Sequence, residues 1–515
     1  MLVARDQPSI SIWTLLPSAH SQLVFAMLRL RDQLRDAYAP FTCQWAAPSL
    51  RQPLKPPPDL PLEIWLEIFQ FATYVQRQAS IEPRDPFTIR SPAVLDSNTP
   101  STSMHTKCTI VAVCRAWRRI GVHLLYQYIP IRSPLRATLV LRALRASHDE
   151  DYGHWTRHIE VHTHARRSNG IQFLQNVFRI LQFCPRLRIL SATWHFPVPK
   201  EFLAAVSALY GSTLQGLYWD EQKYSVTSSP VSPSFFASFQ SLRVLDLRDF
   251  VGNVSADSSH PTLPSVQHLI LSNKGPNIDI ATRLTLPVLR TLTIYTLVGA
   301  PIPDIPQLTT LLTKHGRTLT TVNLPSPATA VDPLGHGHDS DAAHHTPSRS
   351  AAAHIPPALF LRPDACPVLD TLAYSANSAL PAVEQAAHPT LRRIALYSVR
   401  AEKLYPRPPV VPGAPRLASG SSPARDPPPP LVRHLRALTR AAFPALETVR
   451  TAGFFVALAS EPHIRDVFIQ WREHFERDGI DFLDGEGILW EYEPELELEV
   501  EVVGLDTGKE KEKKE

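Results

Sequence analysis

Leu289-Arg290-Thr291-Leu292-Thr293-Ile294 carries apolar side chains at its first, fourth and sixth positions, with Pro287 two residues ahead of the first. Alternation over the last three positions is the period of a strand. So short a strand cannot bury its apolar face alone. The frame recurs upstream as Leu187/Leu190/Ala192, Leu214/Leu217/Trp219, Leu242/Leu245/Leu247 and Val266/Leu269/Leu271. Downstream it returns as Leu319/Val322/Leu324, Leu369/Leu372/Tyr374, Leu391/Ile394/Leu396 and Leu446/Val449/Thr451. From Leu187 to Leu319 the first positions lie 27, 28, 24, 23 and 30 residues apart. Six copies carry proline at one offset, Pro185, Pro264, Pro287, Pro367, Pro389 and Pro444, where it is expected to enter the strand without owing a ladder donor.

Units of this length resemble leucine-rich repeats, whose period is ~20 to 29 residues. The resemblance implies an α/β solenoid of stacked parallel strands plus helices. Phe173 to Phe183 and Lys200 to Tyr210 have the helical periodicity expected of its convex side. The Asn or Cys that regular repeats carry after the last Leu is mostly missing, so the array is irregular. Cys184 and Cys366 occupy the same place, just before the repeat proline, which argues for buried small apolar residues and not ligands or nucleophiles. Residues 462 to 477 are expected to form a closing helix with Ile464, Val467, Phe468, Trp471 and Phe475 on one face and Gly479 at its C-cap.

Ahead of the array lie two further stretches, Leu60-Pro61-Leu62-Glu63-Ile64-Trp65-Leu66-Glu67-Ile68-Phe69 and Val113-Cys114-Arg115-Ala116-Trp117-Arg118. Asp59 near an N-cap, Pro61 in the first turn and Glu63 beside the positive helix end suit a helix start. In the second stretch Val113, Trp117 and Ile120 fall at i, i+4 and i+7 of a helix expected over 108 to 128. In this order the two stretches resemble an F-box, in particular the divergent F-box-like proteins of fungi, of basidiomycete type. The resemblance implies contact with a Skp-type adaptor of a cullin-RING ligase through Leu60, Pro61, Leu62 and Ile64, with Trp65, Ile68 and Phe69 shared between that adaptor-binding surface and the helical bundle. It places Val113, Trp117 and Ile120 in the core of the helical bundle.

The expected organisation is a helical or disordered leader at 1–57, then an F-box-like helical domain at 58–132 with a Pro- and Ser-rich disordered insertion at 74–107. A solenoid follows at 150–480, broken by disordered insertions at 325–357 and 406–430, and an acidic, charged tail closes the chain at 481–515. His336, His338, His344, His345 and His354 lie in the first of those breaks, where low-complexity composition argues against a built metal site.

Of 515 residues 44% are hydrophobic, and 52 Lys+Arg against 48 Asp+Glu give a formal charge of +4, too mild to argue for nucleic acid. No apolar run approaches the ~18 residues of a membrane span. Five scattered cysteines without a CxxC pair suit reduced thiols and a cytoplasmic or nuclear protein. GxSxG, GxxxxGK[ST], HExxH and Gly-rich phosphate loops are all missing, so the chain is expected to be no enzyme and to need no cofactor or metal. The expected function is that of a substrate-recruiting adaptor of an SCF-type E3 ubiquitin ligase, with an unknown protein substrate on the repeats. The alternative is a leucine-rich-repeat scaffold with no ligase role.

Overall fold

A computed structural model describes residues 60–75, 79–83, 85–88, 98–146, 151–163, 170–196, 198–221, 233–250, 260–296, 304–325, 354–379, 388–404, 429–456 and 463–491. The expected leader, most of the insertions at 325–357 and 406–430, the end of the tail and all the clustered histidines but His354 lie outside these residues. The chain divides into two units, Met1–Pro61 and Leu62–Glu515. In the first, Leu60 and Pro61 are described, both exposed.

Among the described residues the second unit holds a sheet of twelve parallel strands in simple chain order. They are β1 (Tyr128–Ile131), β2 (His158–His162), β3 (Ile189–Trp194), β4 (Gly216–Glu221), β5 (Val244–Asp249) and β6 (His268–Ser272). β7 (Thr291–Tyr295), β8 (Thr321–Asn323), β9 (Thr371–Ser375), β10 (Arg393–Tyr397), β11 (Thr448–Thr451) and β12 (Asp481–Leu483) complete it. All nine copies of the frame fall on β3 to β11. Their middle residues stand in one register across the sheet, from Ile129 and Ile159 through Leu190, Leu217, Leu245, Leu269, Leu292, Val322, Leu372, Ile394 and Val449 to Phe482. Every member of this row is buried. Each contributes roughly 1.5 to 3 kcal/mol by leaving water.

Helices cover the face this row points to. α1 (Leu62–Ala72), α2 (Pro100–Val113) and α3 (Arg115–Tyr126) precede the sheet. α4 (Pro134–Ala146), α5 (Gly170–Gln182), α6 (Lys200–Tyr210), α7 (Pro233–Ala237), α8 (Gly275–Arg283) and α9 (Ile305–His315) lie between strands, followed by α10 (Ala401–Leu404), α11 (Pro430–Ala437) and α12 (His463–Glu476). Phe173, Val177 and Ile180 of α5, and Phe202, Leu203 and Val206 of α6, join one continuous core with the strand residues. In α12 all five expected inward residues are buried, and Gly479 follows in the left-handed region at φ 65°.

Several boundaries differ from expectation. The repeat prolines sit in turns and not at strand entries. At Pro185, Pro287, Pro367 and Pro444 the N–H of the following first-position Leu donates to the carbonyl before the proline, at 3.0 to 3.3 Å. Proline therefore occupies position i+1 of a tight turn, which its fixed φ suits. The residue before it faces the core: Cys184, Leu263, Leu286, Cys366, His388 and Phe443 are all buried. Burial pushes both the Cys184 and the Cys366 thiol up to about 12.

The sheet begins at β1, inside the segment assigned to the helical domain, and ends at β12, inside the segment assigned to the tail. Past β12, Asp484 accepts the backbone N–H groups of Glu486 and Ile488 and the Trp490 indole N–H, which fixes the chain there. Ile355, at the end of the insertion expected at 325–357, is buried in the core, and Pro430, the last residue of the 406–430 insertion, opens α11.

The segment expected as a disordered insertion at 74–107 also contributes structure. Thr99 caps α2 by accepting the Thr102 N–H at 3.1 Å, and Pro100 takes the first helical position. Ser103 donates to the Thr73 carbonyl at 2.7 Å and Asn98 to the Ala72 carbonyl at 3.1 Å, which satisfies two acceptors that the end of α1 leaves open. Among the described residues no helix is long and apolar enough to cross a membrane.

Candidate interaction surfaces

α1 carries two apolar faces. Trp65, Leu66 and Phe69 turn inward and pack with Ile110 of α2 and Trp117, Ile120 and Leu124 of α3. Three rings meet there, Trp65 to Phe69 at 5.7 Å, Trp65 to Trp117 at 5.2 Å and Phe69 to Trp117 at 4.9 Å between centroids. Close approach of α2 and α3 depends on Gly121, where a Cβ would stand 2.7 Å from the Ile110 side chain.

The other face points outward. Ile64, Ile68 and Phe71 recur at i, i+4 and i+7, one stripe of a helix, and are 41%, 42% and 86% exposed. Leu62 and Tyr74 add further exposed apolar surface at the two ends. The expected adaptor-facing residues thus separate: Leu62, Ile64 and Ile68 lie outside, Phe69 is 2% exposed inside and Trp65 is half-buried. Phe71 was not expected in the stripe, although its spacing from Ile64 and Ile68 marks it.

Val113, expected in the bundle core, is 56% exposed. The single helix expected over 108 to 128 is in fact two, because Cys114 is extended at φ −158°, ψ 171° and its sulfur accepts the Trp117 N–H. That break takes Val113 out of phase with Trp117 and Ile120, which stay half-buried in the cluster. The helical cluster runs directly into the sheet. Tyr126 stacks on Tyr152 at 4.5 Å, and the Gln127 carbonyl accepts the Arg157 and His158 N–H groups at 3.0 and 3.2 Å.

The second candidate surface is the opposite face of the sheet, where residues alternating with the buried row project. At its start Glu160 accepts hydrogen bonds from Tyr128, from His162 at 2.6 Å and from Arg132 at 3.2 Å. Burial alone would raise the Glu160 carboxyl, yet the hydrogen bonds from His162 and Tyr128 and the nearby cationic groups hold it down at about 2. Asp246 pairs with Arg248 at 2.8 Å, Arg248 lies over the Tyr295 ring at 4.6 Å, and His268 meets Thr293 at 2.9 Å. Over β1 to β7 this face is therefore largely polar and cross-linked by side-chain hydrogen bonds and ion pairs.

Residues 79–83 and 85–88 lie against this face. The Ser80 N–H and carbonyl both bond the Tyr218 hydroxyl of β4 at 2.7 Å. Asp85 pairs with Arg393 of β10 at 3.0 Å, and the Phe87 carbonyl accepts from Arg450 of β11 at 2.6 Å. Sequence reading assigned this stretch to disorder on its prolines, and its role depends on contacts more than 130 residues distant.

A shallow cleft before the strands gathers Arg157, Arg186 and Arg188 beside Gln215. Burial, reinforced by the two neighbouring cations, lowers the Arg157 guanidinium. No family model matches this chain, and no curated protein matches it in sequence.

Proposed function

We propose that the chain is a substrate-recruiting adaptor of a cullin-RING (SCF-type) ubiquitin ligase, docking a Skp-type protein through α1 and holding a protein target on its leucine-rich-repeat-like sheet. The observation that carries this reading is the outward stripe of Ile64, Ile68 and Phe71 on a helix whose other face is already locked by Trp65, Phe69 and Trp117. A helix that needs only one apolar face for its own bundle gains nothing from a second unless a partner covers it. The resemblance of residues 60–69 and 113–118 to an F-box supplies the identity of that partner.

Pull-down of a Skp-type adaptor by the intact chain tests the proposal. Wild type is expected to retain the adaptor and Ile64→Asp/Ile68→Asp to lose at least about tenfold of it, since a desolvated charge replaces apolar contact. Equal recovery with both proteins contradicts it.

A second reading, a repeat scaffold with no ligase role, draws on the continuity of α3 with β1 through Tyr126 and Gln127, which suits an N-terminal cap. Under that reading wild type retains no adaptor.

A further inference from the structure

We propose that the sheet face over β9, β10 and β11 is a binding site for a tight turn of Asp-Pro-aromatic sequence in a protein partner, and that the chain's own Asp85-Pro86-Phe87 occupies it until such a partner displaces it. The inference rests on the reading of the sheet as the target-binding part, not on the adaptor docked by α1.

The seated segment defines the chemistry. Asp85 accepts the Thr88 N–H through its backbone carbonyl at 3.0 Å and the Phe87 N–H through its side chain at 2.9 Å, so residues 85–88 close a turn with Pro86 at its second position. Proline there pre-sets the backbone and reduces the ordering cost of binding. Phe87 packs on Ala373, Ala395 and Ala452, with Tyr397 beside them. Ala373 and Ala395 take the register held in β4 to β8 by Tyr218, Asp246, Ile270, Thr293 and Asn323. Small side chains at that level leave room for one ring.

Two arginines frame the ring, and both are fixed before any partner arrives. Arg393 is held by Asp370 at 3.1 Å while it pairs with Asp85 and lies 5.2 Å from the Phe87 centroid. Arg450, itself buried, donates to the Asp484 and Gly485 carbonyls while it reaches the Phe87 carbonyl. The site therefore offers a cation for the acidic side chain, a flat apolar floor with a cation–π edge for the ring, and a donor for the carbonyl after it.

Nothing in these contacts is peculiar to a covalently attached segment. The Asp85–Arg393 pair is about a third to two fifths exposed on each side, so water screens it and a competing acidic side chain can replace it. Tethering supplies an effective concentration in the millimolar range, which weakens any free competitor without abolishing the site.

A fluorescein-labelled peptide of residues 79–90, titrated by anisotropy into the full-length chain, tests the proposal. Asp85→Ala/Phe87→Ala in the chain is expected to bind the peptide at least about tenfold tighter than wild type does, because the internal competitor is gone. Adding Arg393→Ala to that variant is expected to weaken the peptide at least about tenfold. Equal affinity of wild type and the double variant overturns the proposal, as does no binding to a double variant whose thermal melt is intact. Should that variant fail to fold, hydrogen exchange of wild type with excess unlabelled peptide decides: faster exchange at the Ser80 and Thr88 amides is expected, and unchanged exchange overturns the site. Peptide binding uses the chain alone, so its failure leaves adaptor retention standing, and loss of adaptor retention leaves peptide binding standing.

Discussion

Adjacent residues of α1 have opposite duties. Phe69 is enclosed by Trp65 and Trp117, while Ile68 faces water. Phe69→Ala is expected to cost roughly 3 to 5 kcal/mol, the range for a large aromatic removed from a core. Ile68→Ser is expected to stay within about 0.5 kcal/mol of wild type, as an exposed substitution does. Denaturant unfolding of the two variants checks this, and equal losses would contradict the two-faced helix. The cysteines divide in the same way. Cys108 and Cys114 are exposed, whereas Cys184 and Cys366 are buried with thiols at about 12. Iodoacetamide at pH 8 is expected to label Cys108 and Cys114 in the native chain and to reach Cys184 and Cys366 only after denaturation, as followed by mass spectrometry. Labelling of Cys184 in the native chain would contradict the turn-and-core role argued for it.

At the scale of the element, the start of α2 shows what composition conceals. Asn98-Thr99-Pro100 lies in a Ser- and Pro-rich stretch that suggests disorder, yet Thr followed by Pro is also an N-cap followed by its preferred first residue. Thr99→Ala is expected to cost about 1 kcal/mol and to loosen α1 as well, because Asn98 and Ser103 cap α1 from the same turn. The thermal midpoint reports this, and no change would contradict the cap.

Nine strands were legible because the frame repeats a buried aliphatic residue, mostly leucine, at its first and fourth positions. β1, β2 and β12 were not, because Tyr126, Thr156 and Gly479 stand where the first leucine is expected, although Ile129, Ile159 and Phe482 hold the row. α1 was legible as a helix, but one stretch of sequence does not say which of its two apolar stripes is covered. The break at Cys114 had no glycine or proline to announce it, and Val113 was misplaced for that reason.

Over the whole molecule, buried histidines set the response to pH. His315, His388 and His434 are enclosed and bond the carbonyls of Ala281, Cys366 and Ser378. Burial lowers each below its ordinary value of 6.5. Unfolded, these groups take up protons below about pH 6.5 that the folded chain refuses, so stability is full above that value and falls as pH drops through it. Glu160 adds a second loss of the same sign between about 4.5 and about 2. The thermal midpoint is expected to fall between pH 7.5 and 5.5, less steeply in His388→Gln. A midpoint that rises over that interval would contradict the burial of these rings.

The proposed functions divide at this scale between α1, whose Ile64, Ile68 and Phe71 face outward, and the sheet face that begins at β1. Isothermal titration of the full-length chain with a purified Skp-type adaptor, run beside thermal melts of the same proteins, tests the proposed docking role of α1 most directly. The account predicts binding to wild type, at least about tenfold weaker binding to Ile64→Asp/Ile68→Asp, and an unchanged melt. Undetectable binding to wild type, or equal binding to both, would contradict it.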